Sequence, residues 1–249
     1  TSDGTWIEAL ESGTLIEDDI FVTGNFGSQP KENTDNLRAF MERYGKKWPL
    51  MCTEFWDGWF SRWSEEIVRR EAEDLAQDVK EMLQLGSMNL FLLRGGTNFG
   101  FISGCSARKT KDLPQITSYD FDAPITEWGQ PTEKYYAVQR VTHEVFPELE
   151  QMEPISRQAK AYGSFPLLGT ANLLDVAADI TEEILLDYPQ PMEQIGQNHG
   201  YILYRSDIKN QYHDERLKAL ETHDRCHFYV NLEHLATQYR EEIGDEMLF

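Results

Sequence analysis

The sequence has few basic residues. Its 249 residues include 23 Lys and Arg against 43 Asp and Glu, which gives a formal net charge of −20 at pH 7. An acidic surface repels phosphate backbones and anionic lipid, so neither nucleic acid nor a membrane is expected as a partner. The sequence also has no apolar run that approaches the ~20 residues of a membrane-spanning helix. This composition favours a neutral substrate.

Cysteine is scarce as well. Cys52, Cys105 and Cys226 are far apart, which excludes a Cys-x-x-Cys metal or redox motif, and their odd number argues against a disulfide scaffold. We expect three reduced and mostly buried thiols, and a cytoplasmic protein. The opening residues resemble neither a signal peptide nor a usual translation start. They read like a segment cut from a longer chain, with which a signal peptide could have been lost.

Aromatic residues, by contrast, are abundant. Four of the six Trp residues lie between Trp48 and Trp63, in a stretch that also contains Glu54. Apolar residues lead up to Glu54 as in a buried strand, and aromatic residues follow it. A carboxylate at the end of a strand beside flat aromatic rings suits an enzyme that acts on a sugar. Taken alone, however, a glutamate at such a position is most often a solvated or salt-bridged group.

The first 146 residues alternate between strand and helix patterns. The predicted elements are, in order, a strand over 20–24, a helix ending at Gly45, a strand over 49–55, a helix from Ser64 to Gly86 whose apolar stripe starts at Ile67, a strand over 88–93 and a helix from Pro131. Such repeats predict a parallel sheet covered by helices. If the sheet belongs to a barrel, catalytic groups lie where strands end, and Glu54 is at such a position.

The pattern changes after residue 146. Residues 147–170 are interpreted as a connecting segment, and residues 171–249 as the start of a β-rich domain. The strands predicted there cover residues 183–186, 200–204 and 227–230.

Glycines follow the strand over 88–93. The run Gly95-Gly96-Thr97-Asn98-Phe99-Gly100 lacks the lysine of a phosphate-binding loop. We interpret it as a tight turn whose glycines let the backbone approach a ligand.

Three motifs together carry a resemblance to a known family. Trp48–Trp63, Asn89–Arg108 and Asp112–Lys134 resemble, in this order, signatures of the bacterial β-galactosidases of glycoside hydrolase family 35. The resemblance implies an α/β chain: part of a (β/α)8 TIM barrel, about strands six to eight, over residues 1–146, followed by the start of a β-rich domain. The strand over 49–55 would be the seventh, and the chain would begin just after the fifth.

The resemblance also implies an activity, the hydrolysis of terminal β-D-galactosyl bonds with retention. Glu54 matches the family's nucleophile. The family's acid/base is the glutamate of an Asn-Glu pair on the fourth strand, and this sequence contains no Asn-Glu pair. We therefore expect the acid/base to lie upstream, since nothing in the sequence marks Asp57, Asp120 or Asp122 as a buried acid with a raised pKa. The chemistry needs two carboxylates, so no metal and no cofactor are implied.

The same resemblance predicts the residues that contact galactose. They are Trp56, Trp59, Phe91, Tyr119 and Phe121. The family usually has tyrosine at the positions of Phe91 and Phe121. Loss of one neutral hydrogen bond typically costs about 0.5–1.5 kcal/mol, so each replacement weakens binding or rate by a few-fold to about tenfold.

Two alternatives remain open. The chain could be a catalytically inactive galactose-binding or assembly module, because it lacks the Asn-Glu pair and two of the tyrosines. A hydrolase acting on another sugar is less favoured, because Gly-Gly-Thr-Asn-Phe-Gly and Thr-Ser-Tyr-Asp-Phe-Asp match the galactosidase pattern. An open part of a barrel exposes strand edges and apolar helix faces. We therefore expect a homo-oligomer or association with a missing N-terminal half.

Overall fold

A computed structural model describes residues 1–107, 112–155, 158–209, 216–222 and 225–248. Arg108, the last residue of one family motif, lies outside the described residues. The chain divides into two compact units, one of residues 1–106 and 113–160 and the other of residues 107–112 and 161–249.

The first unit alternates strands and helices. The elements over residues 1–145, in chain order, are β1 (Ser2–Asp3), α1 (Ile7–Glu11), β2 (Gly24–Phe26), α2 (Pro30–Arg43), β3 (Met51–Trp56), α3 (Ala72–Leu85), β4 (Ser87–Phe91), β5 (Gly96–Thr97), β6 (Cys105–Ala107), β7 (Asp112–Pro114), β8 (Ser118–Tyr119) and α4 (Glu133–Val145).

The first four strands form one parallel sheet in the order β1-β2-β3-β4. Cys52 of β3 is paired with Gly24 on one side and with Met88 on the other. The predicted parallel sheet is thus confirmed, and β1 is a strand that the sequence did not predict. The carboxyl ends of the four strands lie at one edge because the strands are parallel and adjacent in chain order.

Two apolar clusters pack helices onto this sheet. Phe26, Cys52 and Phe55 are buried with residues of α3 and α4, among them Leu75 and Val141. The second cluster comprises Leu10, Val22, Leu37, Phe40, Met41 and Leu50, from α1, α2 and the adjoining strand approaches. These clusters remove large apolar side chains from water, at about 1.5–3 kcal/mol for each fully buried residue, and they fix the sheet beneath the strand ends.

Several element boundaries differ from the predictions. The strand predicted over 20–24 begins only at Gly24, although Val22 before it is buried with residues of α1 and α2. The helix predicted from Ser64 begins at Ala72. Ser64 has a left-handed φ of 63°, and the backbone N–H of Arg70 donates to a carboxylate oxygen of Asp122, so the intervening residues follow a loop.

The helix ends are closer to expectation. Gly86 follows α3, and Gly45 has a φ of 68° just beyond α2, so both predicted stops are confirmed. The sequence pattern placed Ile67 in the apolar stripe of α3. In the structure Ile67 lies in the loop before this helix and is 50% exposed. The helix predicted from Pro131, α4, begins at Glu133 instead, because Pro131 forms an isolated bridge with Ile125.

The strands of the second unit differ from those predicted. Its elements are α5 (Leu173–Ile180), the 3₁₀ helices Met192–Ile195 and Arg240–Glu242, and strands β9 (Arg216–Leu217), β10 (Arg225–Val230), β11 (Glu233–Tyr239) and β12 (Met247–Leu248). Strands β10 and β11 form an antiparallel pair, which confirms the strand predicted over 227–230.

Two predicted strands are wrong, since residues 183–186 and 200–204 are irregular. Leu185 is 88% exposed and Tyr201 is 74% exposed, so their apolar side chains pack on no sheet face. The helix α5 was not predicted; the side chain of Asn172 caps it by accepting a hydrogen bond from the Leu174 N–H over 3.0 Å. No helix among the described residues is long and apolar enough to cross a membrane.

The cysteines differ in their surroundings. Cys52 is buried in the sheet, and burial raises the pKa of its thiol to about 12, which keeps it protonated and unreactive. Cys226 is half-buried, but Cys105 is exposed. The prediction of buried thiols is therefore wrong for Cys105, which lies on the short surface strand β6.

Candidate active site

Glu54 lies near the carboxyl end of β3, as predicted. Phe55 points into the apolar cluster beneath α3, so Glu54 and Trp56 point to the opposite face of the sheet. The indole Nε1 of Trp56 donates to Oε2 of Glu54 over 3.2 Å. Hydrogen bonds to a charged acceptor are stronger than neutral ones, so Trp56 holds the carboxylate in one orientation.

Asn25, which the sequence analysis did not single out, supports Glu54 from the neighbouring strand. It is 2% exposed, and its Oδ1 accepts hydrogen bonds from the Glu54 N–H over 3.1 Å and from Thr53 Oγ1 over 2.8 Å. Its Nδ2 donates to Asp3 Oδ1 over 3.2 Å. One amide thus ties the ends of β1, β2 and β3 together at the site. The only signal in the sequence for this role of Asn25 was its position at the end of a short strand.

The structure brings the five predicted galactose-contacting residues into one aromatic cluster. Ring centroids are 5.6 Å apart for Trp56 and Trp59, 6.0 Å for Trp59 and Phe121, 5.4 Å for Phe91 and Phe121, and 5.6 Å for Tyr119 and Phe121. Phe121 is 3% exposed and lies between the other rings. The remaining four are half-buried, so their faces can contact a ligand.

A further ring contact and a pKa shift characterise this cluster. Phe60, which was not predicted, stacks on Tyr119 with a centroid distance of 6.2 Å. Burial, and to a smaller degree the charge of Glu54, raises the pKa of the Tyr119 hydroxyl. The hydroxyl therefore stays protonated and can act as a hydrogen-bond donor.

Glycines allow the loop over 118–122 to approach the strand ends. A Cβ on Gly58 would lie 1.8 Å from the carbonyl oxygen of Phe121, and a Cβ on Gly95 would lie 2.3 Å from that of Asp120. We predicted that the glycines after β4 let the backbone approach a ligand. At Gly95 the missing side chain makes room for the backbone of the loop, and the approach to a ligand stays a prediction.

A buried ion pair holds the same loop. Lys134 is 5% exposed, and its Nζ donates to the carbonyl oxygens of Asp57 and Asp122 over 2.8 and 2.7 Å and to Asp122 Oδ2 over 2.5 Å. The other carboxylate oxygen of Asp122 accepts from Arg69 Nη1 over 2.7 Å. Phe121 and Asp122 both have left-handed φ angles, of 63° and 56°. Such conformations persist in non-glycine residues when surrounding contacts hold them, as these do.

Asp57 is the buried acid that the sequence did not reveal. It is 0% exposed; Oδ1 accepts from the Leu92 N–H over 3.2 Å, and Oδ2 has no hydrogen-bond partner among the described residues. Burial raises the pKa of Asp57 to about 7, although the charge of Lys134 and the Leu92 N–H act in the opposite direction. The expectation that none of the three aspartates is so placed is wrong for Asp57. Because the carboxyl has no exposed surface, it cannot contact a substrate in this arrangement.

This burial predicts a pH-dependent stability. The folded state binds the Asp57 proton more tightly than the unfolded state, so stability from this group is present below about pH 4 and is lost as the pH rises to about 7. We compare the free energy of unfolding of Asp57→Asn with that of the wild type. From pH 4 to pH 8 this difference should shift in favour of the variant by up to roughly 4 kcal/mol, because each unit of pKa shift corresponds to about 1.4 kcal/mol. Urea unfolding at both pH values measures this, with exposed Asp19→Asn as the control. An equal difference at both pH values would contradict it.

Comparison with known proteins places the chain in a family. Residues 1–145 match the family described as "Glycosyl hydrolases family 35", and residues 189–248 match "Beta-galactosidase, first all-beta domain". "Beta-galactosidase 8" of Oryza sativa subsp. japonica is 34% identical over 94% of this chain and 36% of its own length. "Beta-galactosidase" of Xanthomonas manihotis is 36% identical over 84% of this chain and 34% of its own length. "Beta-galactosidase" of Mus musculus is 32% identical over 84% of this chain and 32% of its own length.

The chain thus spans about a third of the length of these relatives. The match over 1–145 covers the parallel sheet, Glu54 and the aromatic cluster, and it includes more than half of the 249 residues. The chain belongs to glycosyl hydrolase family 35.

Proposed function

We propose that this chain is the part of a retaining β-galactosidase that carries the nucleophile, Glu54. The observation that supports this most is the position of Glu54. Its carboxylate is at the carboxyl end of a parallel strand and accepts a hydrogen bond from Trp56, and its charge helps to raise the pKa of the Tyr119 hydroxyl. Relatives named as β-galactosidases indicate the substrate class.

The reaction would proceed in two steps at Glu54. A carboxylate oxygen attacks the anomeric carbon, the bond to the leaving oxygen breaks, and a covalent galactosyl-enzyme forms. Water then attacks the same carbon and releases Glu54. A natural substrate requires an acid to protonate its leaving oxygen. We propose that this acid is a glutamate outside the present sequence, because the family's Asn-Glu pair is not in it.

The barrel assignment belongs to the same proposal. Strands β2, β3 and β4 would be the sixth, seventh and eighth strands. Because β1 pairs with β2, we propose that β1 is the end of the fifth strand, rather than that the chain begins just after it. Their parallel order and the placement of Glu54 at a carboxyl end fit the family's barrel. The resemblance to the family's bacterial type remains a prediction, because the relatives include plant and animal proteins as well.

A pre-steady-state burst with dinitrophenyl β-galactoside tests this function. The activated leaving group departs without an acid, so a nucleophile alone can complete the first step. We expect a stoichiometric burst and a galactosyl adduct on the peptide that contains Glu54, followed by slow turnover. An adduct on another residue would remove Glu54 from the role. No burst and no adduct would favour a catalytically inactive galactose-binding or assembly module, which calorimetry with galactose would then examine.

We also expect the chain to self-associate or to bind the missing N-terminal half when it is produced alone. Large apolar side chains are exposed, among them Ile155 at 88%, Leu168 at 99% and Leu185 at 88%. Exposed apolar surface of this extent favours association. Sedimentation velocity over a wide concentration range should show a weight-average mass that rises with concentration. A monodisperse monomer at every concentration would contradict this expectation.

A further inference from the structure

The buried carboxyl group of Asp57 lies where several segments that carry the aromatic cluster meet. The Asp57 N–H donates to the Phe91 carbonyl oxygen over 3.3 Å, and Oδ1 accepts from the Leu92 N–H over 3.2 Å. The Asp57 carbonyl oxygen accepts from Nζ of Lys134, which also binds the loop over 118–122. Asp57 therefore joins the ends of β3 and β4 to this loop, yet the reaction proposed above gives it no role.

The ammonium group of Lys134 has no donor left for the Asp57 carboxyl group. Its acceptors are the carbonyl oxygens of Asp57 and Asp122, at 2.8 and 2.7 Å, and Oδ2 of Asp122, at 2.5 Å. These three acceptors use all three of its hydrogens. Oδ2 of Asp57 has no hydrogen-bond partner in the part of the chain that the structure describes. This arrangement suits a neutral carboxyl group, because an unpaired carboxylate without exposed surface is costly.

The guanidinium group of Arg70 is occupied in the same way. The charges of Lys134 and Arg70 both act on Asp57, that of Lys134 more strongly. Arg70 donates to Asp74 Oδ2 over 2.8 Å and to Asp78 Oδ2 over 2.5 Å, so two carboxylates already share its charge. A negative charge on Asp57 would therefore draw a cation away from its present acceptors, and Lys134 would respond most.

The loop over 118–122 depends on the contacts of Lys134. Phe121 and Asp122 have left-handed φ angles of 63° and 56°, which non-glycine residues keep only where surrounding contacts hold them. Phe121 is 3% exposed, and its ring contacts other rings of the aromatic cluster. A shift of Lys134 toward the carboxylate of Asp57 would take a donor from Asp122. The ring of Phe121 would then be held less firmly.

We propose that Asp57 is a positioning residue of the galactose site, which lets Lys134 hold the loop over 118–122 only while its own carboxyl group is neutral. Asp122 keeps its bond to Arg69, so ionisation of Asp57 loosens the loop without releasing it. Burial raises the pKa of Asp57 to about 7, so galactose should bind more tightly below this pH than above it. The inference rests on the proposed function, because it takes the aromatic cluster as the galactose site.

Calorimetric titration with galactose at about pH 5.5 and about pH 8.5 tests the proposal. The Glu54→Gln chain is used because it removes the charge of the nucleophile, and the raised pKa of Tyr119 keeps its hydroxyl protonated at both pH values. We expect the dissociation constant to be about three- to tenfold larger at the higher pH, the effect of about one weakened hydrogen bond.

Three variants in this background assign the pH dependence. Asp57→Asn should abolish it and keep the tighter binding at both pH values, because an amide cannot ionise. Asp57→Ser cannot ionise either, and it gives the same test if the buried amide is poorly accommodated. Asp19→Asn, which changes an exposed aspartate, should bind galactose with the unchanged pH dependence.

A measurement without sugar separates this proposal from the proposed function. With 4-fluorophenylalanine in place of Phe121, the fluorine NMR resonance should move with a midpoint near pH 7, and Asp57→Asn should abolish the movement. A resonance or an affinity that does not change with pH would overturn the positioning role and leave the galactosidase proposal intact. So would an Asp57→Asn effect of the same size at both pH values. A resonance that moves as expected without any galactose binding would overturn the galactose site itself, and with it the role of Asp57 in binding.

Discussion

Replacing Glu54 with glutamine is expected to abolish formation of the galactosyl-enzyme. The amide has the same shape as the carboxylate and can still accept a hydrogen bond from Trp56, but it is a far weaker nucleophile. Removal of a nucleophile typically lowers the rate by on the order of 10³-fold or more. Intact-protein mass spectrometry after incubation with a 2-fluorogalactoside that carries a good leaving group measures the adduct directly.

Two further variants make this test specific. Glu66→Gln, in the exposed loop after β3, changes a nearby carboxylate outside the site and should label like the wild type. Glu54→Ala with added azide should release α-galactosyl azide from the dinitrophenyl substrate, because azide enters from the face that the carboxylate has vacated. A β-configured azide product, or labelling that persists in Glu54→Gln, would show that another group is the nucleophile.

Replacing Lys134 with methionine is expected to destabilise the first unit by roughly 3–5 kcal/mol, the range typical of removing one partner of a buried ion pair. Methionine fills much of the same space, but the carbonyl oxygens of Asp57 and Asp122 and the carboxylate of Asp122 lose their common donor. Equilibrium urea unfolding followed by tryptophan fluorescence measures the loss.

Lys80→Met is the matched control. Lys80 pairs with Glu144 over 2.7 Å, but both side chains are more than a third exposed. Exposed pairs contribute about 0–1 kcal/mol, so this variant should unfold almost like the wild type. If Lys134→Met loses no more stability than Lys80→Met, the buried pair does not hold the loop over 118–122 in place.

Periodic segments with strong end signals could be predicted from the sequence. The apolar spacing of Leu37, Phe40 and Met41 placed α2, and Gly45 and Gly86 marked helix ends, because these signals act over a few neighbouring residues. The start of α3 could not be predicted in this way. It depends on Asp122, which accepts the Arg70 N–H from 52 residues away.

The strands of the second unit show the same limitation. Residues 183–186 and 200–204 have apolar and aromatic residues suited to strands, but a strand also needs a partner and a covered face. Those segments have exposed side chains in the structure, whereas β10 pairs along its length with β11. The local sequence pattern alone therefore could not distinguish the one predicted strand that forms from the two that do not.

For the site, the sequence by itself determined the chemistry available: one glutamate at the end of an apolar strand, and aromatic residues in three separate motifs. Residue type and strand end are local properties that point to Glu54, and the resemblance of the three motifs to the family predicts the five aromatic residues, so both predictions need no coordinates. Only the tertiary structure decided which groups support them. Asn25 at Glu54, Lys134 beneath the loop and the buried Asp57 all act through contacts between distant parts of the chain. Burial and charge neutralisation depend on what surrounds a side chain, and a linear sequence does not contain that information.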